Sequence, residues 1–166
     1  MSEKWNLDPA GHEVTIKHKT MWGLATVRGV FKTVRAEGVL DADGTGQGTV
    51  TVDSGSIDTG NTKRDTHLRS ADFFDIEKHP SFQFVVDTIG PVAAQSSETQ
   101  VKGTLTVRET VKPLTFLAHA ERHADAVTVT AAIPYTRADF GMTWNQLGMM
   151  APGGEIAVKL RFTRQA

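Results

Sequence analysis

The 166-residue chain contains no cysteine, which excludes disulfides, thiolate metal ligands and cysteine nucleophiles. It has a single tyrosine and no excess of either charge, with 18 basic and 19 acidic residues. Nucleic acid and an acidic membrane surface both favour a basic excess, so neither is expected as the main partner. No apolar run approaches the roughly 18–20 residues of a membrane-spanning helix. The opening MSEKWNLDPAGHEV also lacks the apolar stretch of about 7–15 residues found in an export signal. Read as a native start, this predicts a cytoplasmic protein. Familiar catalytic motifs are absent as well: there is no Gly-x-Ser-x-Gly, no phosphate-binding Gly-x-x-x-x-Gly-Lys-Ser/Thr and no His-Glu-x-x-His.

What the chain does have is alternation. Val14, Ile16 and His18 share one face of a short strand preceded by a turn at Pro9-Ala10-Gly11. Ala25, Val27, Gly29 and Phe31 alternate with Thr26, Arg28 and Val30. Asp41 to Gly48 reads as a hairpin loop, and a polar loop is expected at 93–99. Val101 to Val107, Leu114 to Ala120, Val127 to Ile133 and Ile156 to Phe162 each place every second residue on one apolar face, with Glu109–Pro113 as a tight connection between the first two of these. Half-buried strands joined by short turns describe an antiparallel sheet, and about eight of them close into an up-and-down barrel; a two-sheet sandwich is the alternative. No linker divides residues 1–166, so a single domain is expected.

Two segments break the pattern. Ser56–Phe84 holds cap formers at Thr59–Thr62, the charged run Arg64 to Arg69, and the aromatic pair Phe73-Phe74, ending at His79-Pro80. It predicts a short helix in the 60–76 connection. Tyr135–Gly154 is glycine-rich and irregular, yet carries Phe140, Met142, Trp144, Leu147, Met149 and Met150. These large groups need somewhere to pack, and the barrel mouth or lumen is the available place.

Each polar cluster has a plainer reading. His119 and His123 have helical metal-pair spacing but lie on a strand, which holds such residues about 13 Å apart. Asp41-x-Asp43-Gly44 imitates a calcium loop, but its twelfth position is Val52 instead of a glutamate. Arg64, Asp65 and His67 either form a structural network that ties loop carbonyls or stand at a pocket mouth beside a ligand's polar head. The phenylalanines either fill a solid core or line a cavity.

Several runs are similar to the YceI-like family: Ser56-Ile57-Asp58-Thr59-Gly60-Asn61, Arg64-Asp65-x-His67-Leu68-Arg69-Ser70, Asp72-Phe73-Phe74-Asp75, His79-Pro80-x-Phe82-x-Phe84, Val101 to Val107, Lys112-Pro113-Leu114 and Arg137-Ala138-Asp139-Phe140-Gly141-Met142. The resemblance extends from Trp5 to the end of the chain. It implies a lipocalin-like barrel whose apolar tunnel binds a long-chain amphiphile (a polyisoprenoid, an isoprenoid quinone or a fatty-chain lipid), often as a homodimer, with no cofactor and no reaction assigned. Many members are exported; read as a native start, this sequence is expected to depart from them by having no leader. Large apolar residues on inward-reading faces or lids make Ile16, Trp22, Phe31, Phe74, Phe82, Phe84, Leu105, Phe116, Met142, Trp144 and Met149 the expected tunnel lining. Arg64, His67 and Arg137 are the expected head-group contacts. Two other readings are an enzyme acting on an apolar substrate through a His67–Asp65 pair, and a stress or interaction protein with a solid core.

Overall fold

The computed structural model describes residues 2–92 and 97–165. Its strands are β1 (Glu3–Thr20), β2 (Ala25–Phe31), β3 (Val34–Leu40), β4 (Gly46–Asp53), β5 (Ile57–Asp58), β6 (Ser81–Gly90), β7 (Ser97–Val107), β8 (Thr110–His123), β9 (Ala126–Thr136) and β10 (Gly153–Arg164), with one α-helix, α1 (Thr62–Arg69), between β5 and β6. All pairings are antiparallel, and eight strands close in the order β1, β3, β4, β6, β7, β8, β9, β10 because β10 returns to pair with β1. The expected barrel is therefore present, with its helix inside the 60–76 connection. Of the expected polar loop, residues 93–96 lie outside the described residues, and β7 already begins at Ser97.

β1 positions the rest. One of its edges follows β10, while the other is divided: Glu3–Asn6 pair with β3 and Thr15–Thr20 pair with β2. At the β2 end the wall is thus prolonged by β2 and β5, and this end carries α1 and the irregular segment after β9. At the opposite end Trp5, Leu40, Val92, Ala120 and Val127 pack into a small apolar cluster.

Two turns expected from sequence differ in the structure. Pro9-Ala10-Gly11 lies within β1, where the chain takes five steps from Leu7 to His12 while β10 takes two from Phe162 to Leu160. Proline has no N–H for the ladder. The surplus residues bulge outward, held by the Asp8 carboxylate, which accepts from the Ala10 N–H at 3.0 Å and from Arg161 at 2.6 Å. The β7–β8 connection is only Arg108-Glu109, with Arg108 in the left-handed region at φ 57°, and Pro113 lies inside β8 opposite Thr104. The same proline bears on the next interface. β8 and β9 are laddered only from His119–His123 to Ala126–Thr130. Beyond that point no pairing joins them, Pro113 stands on one side and Pro134 on the other, and the Lys112–Asp139 ion pair spans the opening at 3.3 Å.

Helix α1 has a polar surface apart from Leu68, so no apolar stripe holds it. Side-chain bonds do. Asn61 Oδ1 caps the Arg64 N–H at 3.0 Å, and Arg69 donates from Nε and Nη2 to the carbonyls of Gly55 and Ile57 at 2.9 and 3.0 Å.

Gly103 is required by close approach. A Cβ there would stand 2.2 Å from the Val85 carbonyl oxygen and 2.6 Å from Cζ of the Phe84 ring. Gly103→Val is expected to lower stability by about 2–3 kcal/mol through overpacking, which chemical denaturation measures; an unchanged denaturation midpoint would show that the wall yields there.

Candidate functional site

The barrel is not filled. Inward residues of all eight barrel strands surround an apolar cavity of about 580 Å³ running from Trp5, Val101 and Val127 at the clustered end to Leu114, Ile133 and Phe140 at the other. A second cavity of about 350 Å³ lies under α1 and the 137–152 segment. Phe82, Leu105, Tyr135, Phe140 and Ile156 line both, so the two compartments adjoin at this ring. A core packed solid, one of the readings from sequence, is not what the chain forms.

The expected lining divides between the compartments. Phe84 and Phe116 face the larger cavity, with ring centroids 5.7 Å apart. Ile16, Phe31, Phe74, Met142, Trp144 and Met149 face the smaller one, and Phe82 and Leu105 face both. Phe31 meets Phe74 and Phe82 edge-on at 5.7 and 5.2 Å, anchoring the aromatic pair after α1 to the barrel wall. Trp22 is the exception. It lines neither cavity, is 63% exposed, and sits in the β1–β2 turn with φ 54°. The period of two does not extend through a left-handed turn, so the side chain is carried outside. Its indole N–H instead donates to the Leu147 carbonyl at 3.3 Å, and its backbone N–H to Met149 O at 3.1 Å.

Arg64, His67 and Arg137 all border the smaller cavity. Arg64 donates from Nε to Thr59 Oγ1 at 2.8 Å and from Nη2 to Thr59 O at 3.0 Å. Thr59 in turn donates from its hydroxyl and its N–H to the buried Asp65 carboxylate, at 2.6 and 3.0 Å. His67 bonds Asp72 at 2.8 Å and is held edge-on between Phe73 and Trp144, at 5.1 and 4.4 Å. The His67–Asp65 pair needed by the enzymatic reading is therefore not formed: Asp65 serves the Thr59 turn and His67 belongs to Asp72. The His67–Trp144 contact has another consequence, since it joins the α1 connection to the 137–152 segment across the smaller cavity.

Arg137 lies inside its own loop, only 7% exposed. Its Nη1 donates to the carbonyls of Met142 and Trp144 at 2.7 and 2.8 Å, and its Nε to Ala151 O at 3.1 Å. One guanidinium fork thus gathers three points of an irregular segment.

Among the polar residues outside the expected set that line the same cavity, His18 and Tyr135 form a bonded pair. His18 Nε2 lies 2.8 Å from Ala151 O, and its Nδ1 lies 2.7 Å from the Tyr135 hydroxyl. A carbonyl can only accept, so Nε2 carries the proton of a neutral ring and Nδ1 accepts from Tyr135. Gly154 makes room for this, since a Cβ there would stand 2.6 Å from the Tyr135 oxygen. Both residues had a period-two signal: His18 continues Val14 and Ile16, and Tyr135 continues Val127 to Ile133. Burial foremost, with the Arg137 charge behind it, lowers the His18 pKa against the pull of the Ala151 carbonyl. Burial raises that of Tyr135.

The depressed His18 value has a definite sign. Stability is complete above the ordinary value of 6.5 and is lost as pH falls through the folded value, because the unfolded chain takes up the proton first. The depressed carboxylates Glu3, Asp8, Asp43 and Asp58 lose their contribution only below ordinary values of 4.5 and 3.8. Denaturation between pH 6.5 and 4.5 is therefore expected to show a loss in the wild type that His18→Gln abolishes; equal slopes for both proteins would refute this.

At the clustered end, the buried Trp5 indole N–H has no hydrogen-bond partner among the described residues, and Arg122 lies over its ring at 5.2 Å. Among the described residues, no group of three or more acidic or histidine side chains is arranged to hold a metal ion.

Comparison with known proteins agrees with this architecture. The model of the YceI-like domain matches residues 5–163. The chain belongs to the YceI-like family. Among relatives of this YceI-like chain, a UPF0312 protein of Staphylococcus epidermidis is 34% identical over 115 residues, which is 68% of this chain and 63% of the relative. Protein YceI of Escherichia coli O6:H1 is 41% identical over 69 residues, 42% of this chain and 35% of the relative. The matches thus span less than two thirds of these relatives' length. Among solved structures, Burkholderia cenocepacia BcnA superposes with a TM-score of 0.82 at 22% identity, over 93% of this chain and 98% of the other. A polyisoprenoid binding domain from Saccharophagus degradans, implicated in plant cell wall breakdown, gives 0.79 at 14% identity, over 97% and 98%. At these identities the structures bear on the fold.

Proposed function

We propose that this YceI-like chain binds a single long-chain amphiphile, an isoprenoid or fatty chain, in its two adjoining cavities and carries or sequesters it without a chemical step. The observation that carries this reading is the shape and chemistry of the space. It is lined mainly by aliphatic and aromatic side chains, with His18, Arg64, His67, Tyr135 and Arg137 bordering the smaller compartment and Glu37, Lys112 and Asp139 bordering the larger. Each buried methylene contributes about 0.8 kcal/mol, so a long chain is held with few directional contacts. The head group then sits near His67, Arg64 and the Tyr135–His18 pair, and the chain runs past the Phe82–Leu105 ring toward Trp5. The polyisoprenoid binding described for the Saccharophagus domain of the same fold supports this class of ligand.

The test is mass spectrometry of an organic extract of the purified protein, followed by uptake of farnesol and longer polyprenols by delipidated protein. One amphiphile per chain, with affinity rising with chain length and then levelling, is the expected result. An empty extract together with no uptake of any chain would overturn the reading. Self-association, implied by the family resemblance, is read from light scattering of the same samples.

A further inference from the structure

The geometry points to a lipid-surface docking tip at the mouth of the smaller cavity, formed by the β1–β2 turn and the 144–149 segment and suited to an anionic bilayer. Trp22 and Leu24 are 63% and 87% exposed on the first element, and Leu147 is 79% exposed on the second. The two elements are tied together by the Trp22 bonds to Leu147 and Met149, so the three apolar groups form one patch. Two of the three stand on costly backbone: Trp22 and Leu147 have positive φ, at 54° and 53°, as does Met21 beside Trp22, at 52°. Bulky residues persist in that region only where the surroundings over-determine them.

Charge selects the occupant. Residues 14–36 contain Lys17, Lys19, Arg28, Lys32 and Arg35 and no carboxylate, and residues 140–154 contain no charge. Lys17, Lys19 and Arg28 are exposed and stand directly behind the apolar tip; Lys17 and Arg28 are opposite each other in the β1–β2 ladder. Glu155, opposite Lys17 on β10, is the carboxylate on the neighbouring strand, and Lys32 is paired with Asp58. An indole and two leucines backed by cations match the layered chemistry of a bilayer interface, apolar beneath and anionic at the head groups. The balanced total charge conceals this asymmetry. Thr20 and Met149, on the same two elements, line the smaller cavity, so a docked tip would set the cavity mouth against the lipid. Among the described residues no helix is long and apolar enough to span a membrane; the inference concerns surface docking alone. It rests on the carriage reading for its purpose, not for its test.

The experiment is flotation of the full chain with vesicles of phosphatidylcholine containing a quarter phosphatidylglycerol, and with pure phosphatidylcholine. Wild type is expected to float with the anionic vesicles and to release at high salt. Combining Trp22→Ser, Leu24→Ser and Leu147→Ser should lower partitioning about tenfold or more. Lys19→Glu with Arg28→Glu should do the same on anionic vesicles only. Val111→Ser with Leu117→Ser, exposed elsewhere on β8, should change nothing. If the triple variant loses strand content, Leu24→Ser alone is measured, with a smaller drop expected in the same direction. Wild type that does not float, or tip variants that float equally, overturn the inference. Self-association of the wild type that the tip variants abolish, without vesicle binding, also overturns it, since the patch would then be an interface between copies. Organic extracts of the same samples keep the two proposals apart: bound amphiphile without flotation removes only the docking tip, and flotation with empty cavities removes only the carriage reading.

Discussion

Arg137→Leu should lower stability by about 3 kcal/mol and detach the 137–152 segment from the barrel. The guanidinium donates to Met142, Trp144 and Ala151 carbonyls, and beyond a 3-10 turn at Arg137–Phe140 the loop has no helix or strand, so these bonds are its main inward ties. Bonds to a charged donor contribute roughly 1.5–3 kcal/mol each, though not additively, and leucine leaves buried carbonyls unmatched. Removing the charge also removes its burial cost, which offsets part of the loss, since among the described residues no carboxylate pairs with Arg137. The Ala151 carbonyl keeps its bond from His18, so the deficit falls mainly on the Met142–Trp144 stretch. Arg137→Lys should fall between, because an ammonium on a flexible stem cannot span three carbonyls as a planar fork does. The discriminating readout is His18. With the Arg137 charge gone its pKa should move up toward the ordinary value, and the loss of stability below pH 6.5 should shrink. Denaturation and limited proteolysis within 140–150 check the prediction; a fully protected segment at wild-type stability would refute it.

The barrel was legible because its wall obeys a local rule. Along β9 and β10 every second residue from Val127 to Ile133 and from Ile156 to Phe162 faces the cavity, as alternation required. The helix was legible from its cap, Asn61. Failures occurred where local periodicity carries no information. Pro9-Ala10-Gly11 has the composition of a turn, yet a bulge against Arg161 satisfies the same residues inside β1. Trp22 has the right chemistry for a lumen, but a left-handed turn places it outside. The bond between His18 and Tyr135 joins residues 117 positions apart. Each could be placed on an inward face from sequence, but their meeting depends on β10 lying between β1 and β9. Likewise, the types Arg64, Asp65 and His67 do not say which carboxylate the histidine takes. The geometry of the Thr59 turn decides it.

Ala131→Trp should abolish tight binding of long chains while leaving the fold intact. Ala131 lies on the inward face of β9 opposite Val158, with its methyl directed at the larger cavity. An indole at that position enters unoccupied space without pushing on packed neighbours, so stability should hold or rise by about 0.5–2 kcal/mol, as cavity-filling changes commonly do. The ligand bears the cost. If the ring takes the place of four methylenes at about 0.8 kcal/mol each, the loss is roughly 3 kcal/mol, or somewhat over a hundredfold in affinity at 1.4 kcal/mol per factor of ten. Chains short enough to stop at the Phe82–Leu105 ring should bind as before, because the smaller cavity and its polar rim are untouched. A length series of polyprenols measured against both proteins therefore separates a ligand tunnel from an incidental packing void. Wild-type affinity for the longest chain in the variant would refute the assignment of the larger cavity, whereas equal weakening at every length would mean that the chain enters from the β8–β9 side, where Lys112 and Asp139 close the unpaired edge.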